Sequence, residues 1–279
     1  LTSPLCVWLF KYILLNQMER RVLPVGFKAH GGNGAALALT HILAENIKGC
    51  TFFMCDEALK VKKIPPFELR LALAAGLREM HRGIPWNEKE TEQKFANRDS
   101  LPNVVANGLT ALQPLLEKGK EKKIFCEEYV SLQLPNVDVP IIGRLDYRRD
   151  QNFYELKTKW RNRGKIKKDG TRSWNQVRAP KTPPIPHLKQ IAVYWKATGY
   201  TPHLIYASDV DFQVFHEGNC EQMKPKYLEE MLAEIRVAAM ARQKILMQSS
   251  TAQEAASFVP PQWDHFMWDI PGEWLRRAK

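Results

Sequence analysis

Residues Val139–Trp160 read VPIIGRLDYRRDQNFYELKTKW, two runs of strand-forming residues around the polar turn Arg149-Asp150-Gln151-Asn152. That is the sequence pattern of a β-hairpin. With Asp150-Gln151 as a two-residue loop, counting outward sets Asp146 directly across from Glu155. Alternation along a strand then puts Glu155 and Lys157 on one face and Leu156 on the other. Side chains opposed in this way lie about 4.5–5.5 Å apart, and two like charges there are destabilising. A cation between them removes the penalty. Magnesium suits the place, because it is bound through one or two carboxylates together with water and phosphate oxygens. A lysine two residues past the second acid adds a positive charge that can deprotonate a water or stabilise charge building up on phosphorus. On an exposed hairpin the same residues would form only surface ion pairs. The apolar Ile141, Ile142, Leu145, Phe153 and Leu156 instead mark a central strand pair, where unpaired acids are costly.

The 279-residue chain can bury one large core, with or without a helical annex. Its balance of 44% hydrophobic and 25% charged residues is that of a globular protein. A formal net charge of +11 is not ordinary, and it suggests a polyanionic partner such as DNA. No amphipathic basic helix points to a membrane surface. The five cysteines, Cys6, Cys50, Cys55, Cys126 and Cys220, are odd in number and lack C-x-x-C spacing. They predict a reduced, cytoplasmic chain rather than a disulfide framework. The apolar run Leu5–Leu15 contains Lys11 and is too short to span a bilayer; it predicts a buried helix, with Ser3 and Pro4 at its start.

Gly143-x-x-Asp146 followed by Glu155-Leu156-Lys157-Thr158 resembles the core of the PD-(D/E)XK nucleases, in particular the RecB-type exonuclease branch. Gln190-Ile-Ala-Val-Tyr194 resembles the Q-x-x-x-Y helix that this branch carries downstream. The resemblance implies an α/β (α+β) fold: a restriction-endonuclease-like central mixed sheet of about five strands flanked by helices. Residues 1–120 would form an N-terminal helical part continuous with a nuclease core over 121–279. It further implies a metal-dependent DNA nuclease, an exonuclease of phage or bacterial recombination, repair or replication, for which a recombination or replication protein is a possible partner. Asp146, Glu155 and the Leu156 carbonyl would hold Mg2+, which Mn2+ could replace. Lys157 would act on the attacking water, and Gln190 and Tyr194 would either bond a phosphate or fix Lys157. Some relatives hold an iron–sulfur cluster through three late cysteines; Cys220 is the only late one here, so no such cluster is expected.

Relatives commonly carry G-x-x-x-H or G-x-x-x-E early in the chain, the last residue reaching the metal from a helix. Aligning Gly32 with that glycine puts Ala36 at the ligand position, and a methyl group binds no metal. Either the ligand is gone, or another residue stands in. His41 lies more than one turn away, His81 sits one residue off the expected spacing, and Glu128 on the first strand faces either the metal pocket or solvent.

The remaining expectations are local. Ala29–Gly34 reads as a glycine turn, either cradling phosphate or letting the following helix Ala35–Ile47 pack closely. Phe67–His81 reads as a helix, and Asp99 or Ser100 as the cap of another that Pro114 kinks or ends. Strand Ile124–Leu134 leads into the central hairpin. Lys159–Lys181 holds nine Lys or Arg against one Asp. It reads either as a solvated disordered loop or as a flexible DNA-contacting loop in which Lys159, Trp160, Arg161, Arg163, Lys165, Arg172 and Trp174 meet the strand. Helix His187–Thr198, a hairpin around Asp209, an amphipathic helix Lys226–Met247 with Leu246 on its inner face, and a tryptophan-rich tail packed on the core complete the chain.

Overall fold

The computed structural model describes residues 27–43, 66–117 except 84 and 86, and 124–260. The helix expected over Leu5–Leu15 and the tryptophan-rich segment from 261 lie outside these residues. A mixed five-stranded sheet forms the centre, in the order β1-β2-β3-β6-β7. Its strands are β1 (Phe125–Leu132), β2 (Ile141–Arg149), β3 (Asn152–Thr158), β6 (Thr201–Ala207) and β7 (Phe212–Phe215). Only β3 and β6 pair in parallel. The connection between them carries a separate two-stranded sheet, β4 (Asn162–Ile166) with β5 (Arg172–Asn175), and helix α4 (Ile185–Thr198). The α+β architecture with a five-stranded mixed sheet is the one expected from the sequence.

Helices cover both faces. On one face α4 and α5 (Pro225–Met247) bury Leu188, Ile191, Leu228, Leu232 and Ile235 against Leu145, Phe153, Leu204 and Phe215. On the other, α1 (Phe27–Leu43) and α3 (Glu88–Glu117) pack Leu39, Leu101, Val105, Leu109 and Leu112 against Tyr147, Tyr154, Leu156 and Ile205. Helix α2 (Pro66–His81) lies on α1, and a short α6 (Ala252–Ser257) follows α5. Leu246 is 40% exposed, so the inner face of α5 ends before it. Among the described residues no helix is long and apolar enough to cross a membrane.

Two helix boundaries differ from the sequence reading. The glycine cluster is not a turn but lies inside α1, because two helices and a tryptophan need its missing side chains. A Cβ on Gly34 would lie 2.5 Å from the Gly76 carbonyl oxygen of α2, and one on Gly31 would strike the Trp160 indole. Helix α3 starts at Glu88, capped by Asn87, whose Oδ1 accepts the Glu90 N–H at 2.9 Å, and not at Asp99 or Ser100. Ser100 sits mid-helix and donates its hydroxyl to the Ala96 carbonyl at 2.8 Å. The helix passes Pro102 and reaches Glu117, beyond Pro114, held by the buried stripe on the sheet rather than by local propensity.

Candidate active site

The central hairpin has the two-residue loop and the register that the sequence implies. Arg149 faces Asn152, Arg148 faces Phe153 and Tyr147 faces Tyr154. Asp150 takes a φ of 52° to close the turn. The ladder stops at Tyr147, one pair short of Asp146 and Glu155. Leu145 and Tyr147 face opposite cores, so alternation breaks at Asp146 and β2 departs from β3 there. In place of a backbone bond, Asp146 Oδ2 accepts the Leu156 N–H at 2.7 Å. The fork opens into a cavity of about 800 Å3 that Asp146, Glu155, Leu156 and Lys157 line together.

Glu155 is 2% exposed. Its Oε1 accepts from Lys157 Nζ at 2.7 Å and from Gln190 Nε2 at 2.8 Å. Its Oε2 is buried with no hydrogen-bond partner among the described residues. Burial pushes Asp146 well above the usual carboxylate range, with the Glu155 charge adding to the effect. Glu155 is likewise raised by burial, against the opposing pull of Lys157. Two acids forced upward by burial, one of them with an orphaned oxygen, form a hard-oxygen site short of positive charge. Together with the Leu156 carbonyl they fit a magnesium ion, which needs few protein ligands. Among the described residues no group of three or more His, Cys, Asp or Glu side chains is placed to hold a metal.

Helix α4 locks the lysine. Its Pro184 and Ile185-Pro186 start gives rigid entry, and Gly199, at φ 72°, closes it by donating to the Trp195 carbonyl. Gln190 Oε1 accepts from Lys157 at 2.7 Å, and Gln190 Nε2 donates to Glu155 and, at 2.9 Å, to the Tyr194 hydroxyl. Gln190 thus fixes Lys157 and Glu155 relative to each other. Tyr194 is 7% exposed and packs against Gly143, where a Cβ would strike its ring. Burial raises its hydroxyl to about 12. Its hydroxyl backs Gln190, its side chain also lines a second cavity beside Gln190, and Gly143 has its place in the motif because Tyr194 needs the space.

Ala36 lines the same cavity from α1, beside Gly32 and Asn33. The alanine therefore lies where the resemblance puts a ligand. His41 and His81 line no part of this cavity. The early acid on β1 is Glu127, not Glu128: Glu127 lines the cavity with φ 56°, a left-handed conformation that breaks strand alternation. Glu128 is paired with Arg148 at 2.6 Å, whose guanidinium stacks on Phe125. Lys28, Asn162 and His187 also line the cavity. They were not legible in the sequence, because only the packing of α1, β4 and α4 around the fork brings them in.

The basic stretch is corrected in part. It is neither disordered nor a flexible loop, since β4 and β5 form a paired ribbon. Trp160 is 3% exposed and donates its Nε1–H to Thr158 Oγ1 at 2.9 Å, so it is core and offers no face to a base. Arg161 is held by buried Asp209 at 2.5 Å, and Arg163 and Arg172 share Glu92 at 2.6 and 2.7 Å. These three arginines fasten the ribbon to α3 and to the turn after β6, so their charge is already met within the chain. Lys159 lines the cavity with its amine 5.4 Å above the Tyr206 ring. Lys165 is exposed, and Trp174 is half-buried across from Arg163. Comparison with family models, characterised proteins and solved structures finds no match to this chain.

Proposed function

We propose that the chain is a magnesium-dependent DNA nuclease of the PD-(D/E)XK type, an exonuclease of phage or bacterial recombination, repair or replication. The observation that carries this reading is Glu155: buried, bonded to Lys157 and Gln190 through one oxygen, and with the other unpaired among the described residues, beside Asp146. Asp146, Glu155 and the Leu156 carbonyl would hold Mg2+, and Mn2+ in its place. Such an ion supplies Lewis-acid stabilisation of charge on the phosphoryl oxygens. Lys157 has three N–H donors, of which Glu155 and Gln190 take two. The third orients the attacking water or meets a phosphoryl oxygen as its charge grows. Gln190, backed by Tyr194, keeps that donor aimed. Lys28 and Lys159 give the same cavity the positive charge that draws in the strand.

Release of nucleotides from linear DNA in Mg2+ or Mn2+ tests the reading. The expected outcome is metal-dependent product that falls about 100-fold or more in Lys157→Ala. Absence of product in either metal, from both the parent chain and Ala36→His, would overturn it. Cleavage of covalently closed circles would shift the assignment to an endonuclease. A second reading is favoured by the methyl group of Ala36 in the cavity wall: a DNA-binding or adaptor protein that keeps the fold without the chemistry. It predicts salt-sensitive binding, no products, and binding indifferent to Lys157→Ala.

A further inference from the structure

Lys157, His187 and Gln190 line not one cavity but two. On their far side from the acids lies a second cavity of about 450 Å3, a size within the usual range of small-molecule sites. Its walls differ in kind from those of the first. Ile141, Ile142, Pro186, Val193 and Ile235 form its apolar side, facing Lys157, His187, Gln190 and Tyr194. Lys189 at its rim is committed to Glu234 at 2.7 Å. The acid cavity, by contrast, collects Lys28, Lys157 and Lys159. A cavity with one apolar wall and a cationic one, joined across three shared side chains, match the two halves of a nucleotide, whose base is flat and weakly polar and whose phosphate is anionic.

We infer that the second cavity is a nucleobase subsite, which takes the unstacked base of the nucleotide next to the phosphate held at Lys157; this rests on the nuclease reading above. His187 supports the assignment from the shared wall. Its Nδ1 lies 2.5 Å from the Tyr206 hydroxyl, and its Nε2 makes no hydrogen bond with a described residue. Burial, with Lys157 and Lys159 nearby, holds the ring down to about 4. A neutral imidazole presents a polar ring edge to a base without adding charge. The subsite favours a frayed or single strand over an intact duplex, because a paired base cannot enter an apolar pocket without leaving its stack.

The experiment uses the full chain in EDTA, where nothing is cleaved, and a set of otherwise identical labelled single strands with one abasic sugar walked along the sequence. Fluorescence anisotropy should show one position at which the missing base weakens binding about tenfold. Ile142 is 59% exposed, so Ile142→Asn alters the chamber without touching the core. In that variant the sensitive position should vanish, while Ile142→Leu keeps it. A flat profile for the parent chain, or an unchanged profile in Ile142→Asn, overturns the subsite and leaves the nuclease reading standing. Failure to bind any strand overturns the subsite as well, and the nuclease reading is then decided by the cleavage assay in Mg2+ or Mn2+.

Discussion

Two acids held above their ordinary range burden the folded chain at neutral pH whenever nothing offsets their charge. Asp146 and Glu155 bind protons more tightly folded than unfolded. Between the ordinary carboxylate values and the raised ones, the folded state therefore carries the extra protons. Stability falls as pH rises through that window, because the slope follows the difference in bound protons between unfolded and folded states. The metal-free protein should thus melt at progressively lower temperature as pH is taken from about 4 upward. Asp146→Asn should flatten that dependence and raise the melting temperature at neutral pH. Millimolar Mg2+ should raise the melting temperature of the parent chain at neutral pH and leave the variant unmoved, as a ligand that binds only the folded state must. Equal pH dependence in the two proteins would sink the argument. These acids and Lys157 were legible in the sequence because hairpin counting is local. Glu127 was not, since its left-handed φ breaks the alternation on which counting depends.

At the scale of elements, the tightest constraint is the crossing of α1 and α2. Gly34 and Gly76 face each other so closely that a Cβ on either would meet the other's carbonyl oxygen. Helix propensity alone favours alanine over glycine by about 1 kcal/mol, so a substitution that ignored the crossing would stabilise. Backbone on both sides cannot swing aside as a side chain tip can. Gly34→Ala should therefore destabilise by about 1–3 kcal/mol, read as a lower urea midpoint. A midpoint equal to or above that of the parent chain would show that the helices do not cross this closely. Glycines clustered in sequence look like a turn, and only a partner helix reveals them as a contact face. The same limit applies to Trp160, which composition placed among DNA-contacting residues and packing placed beneath α1. By contrast, α4 and α5 and the outer strands were legible within a few residues, since their apolar period and their proline and glycine ends are local signals.

For the whole molecule, a net charge of +11 is useful to a polyanion only where the cations are unclaimed. Arg148, Arg161, Arg163, Arg172 and Lys189 are each bound to an acid of the chain. The exposed Lys165, Lys167 and Lys168, at the tip of the β4–β5 ribbon, form no ion pair among the described residues. The ribbon thus divides into a root neutralised by Glu92 and Asp209 and a tip that remains cationic. Phosphates that meet the tip release one counterion per contact, so affinity falls with salt in proportion to the contacts made. Replacing Lys165, Lys167 and Lys168 together with alanine should lower the slope of log affinity against log salt by about 2–3. Arg163→Ala should leave that slope unchanged and instead lower stability, because its partner Glu92 also holds Arg172. If the triple variant kept the parent slope while Arg163→Ala lost part of it, the ribbon would contact DNA at its root, and the ion pairs to Glu92 would have to open on binding.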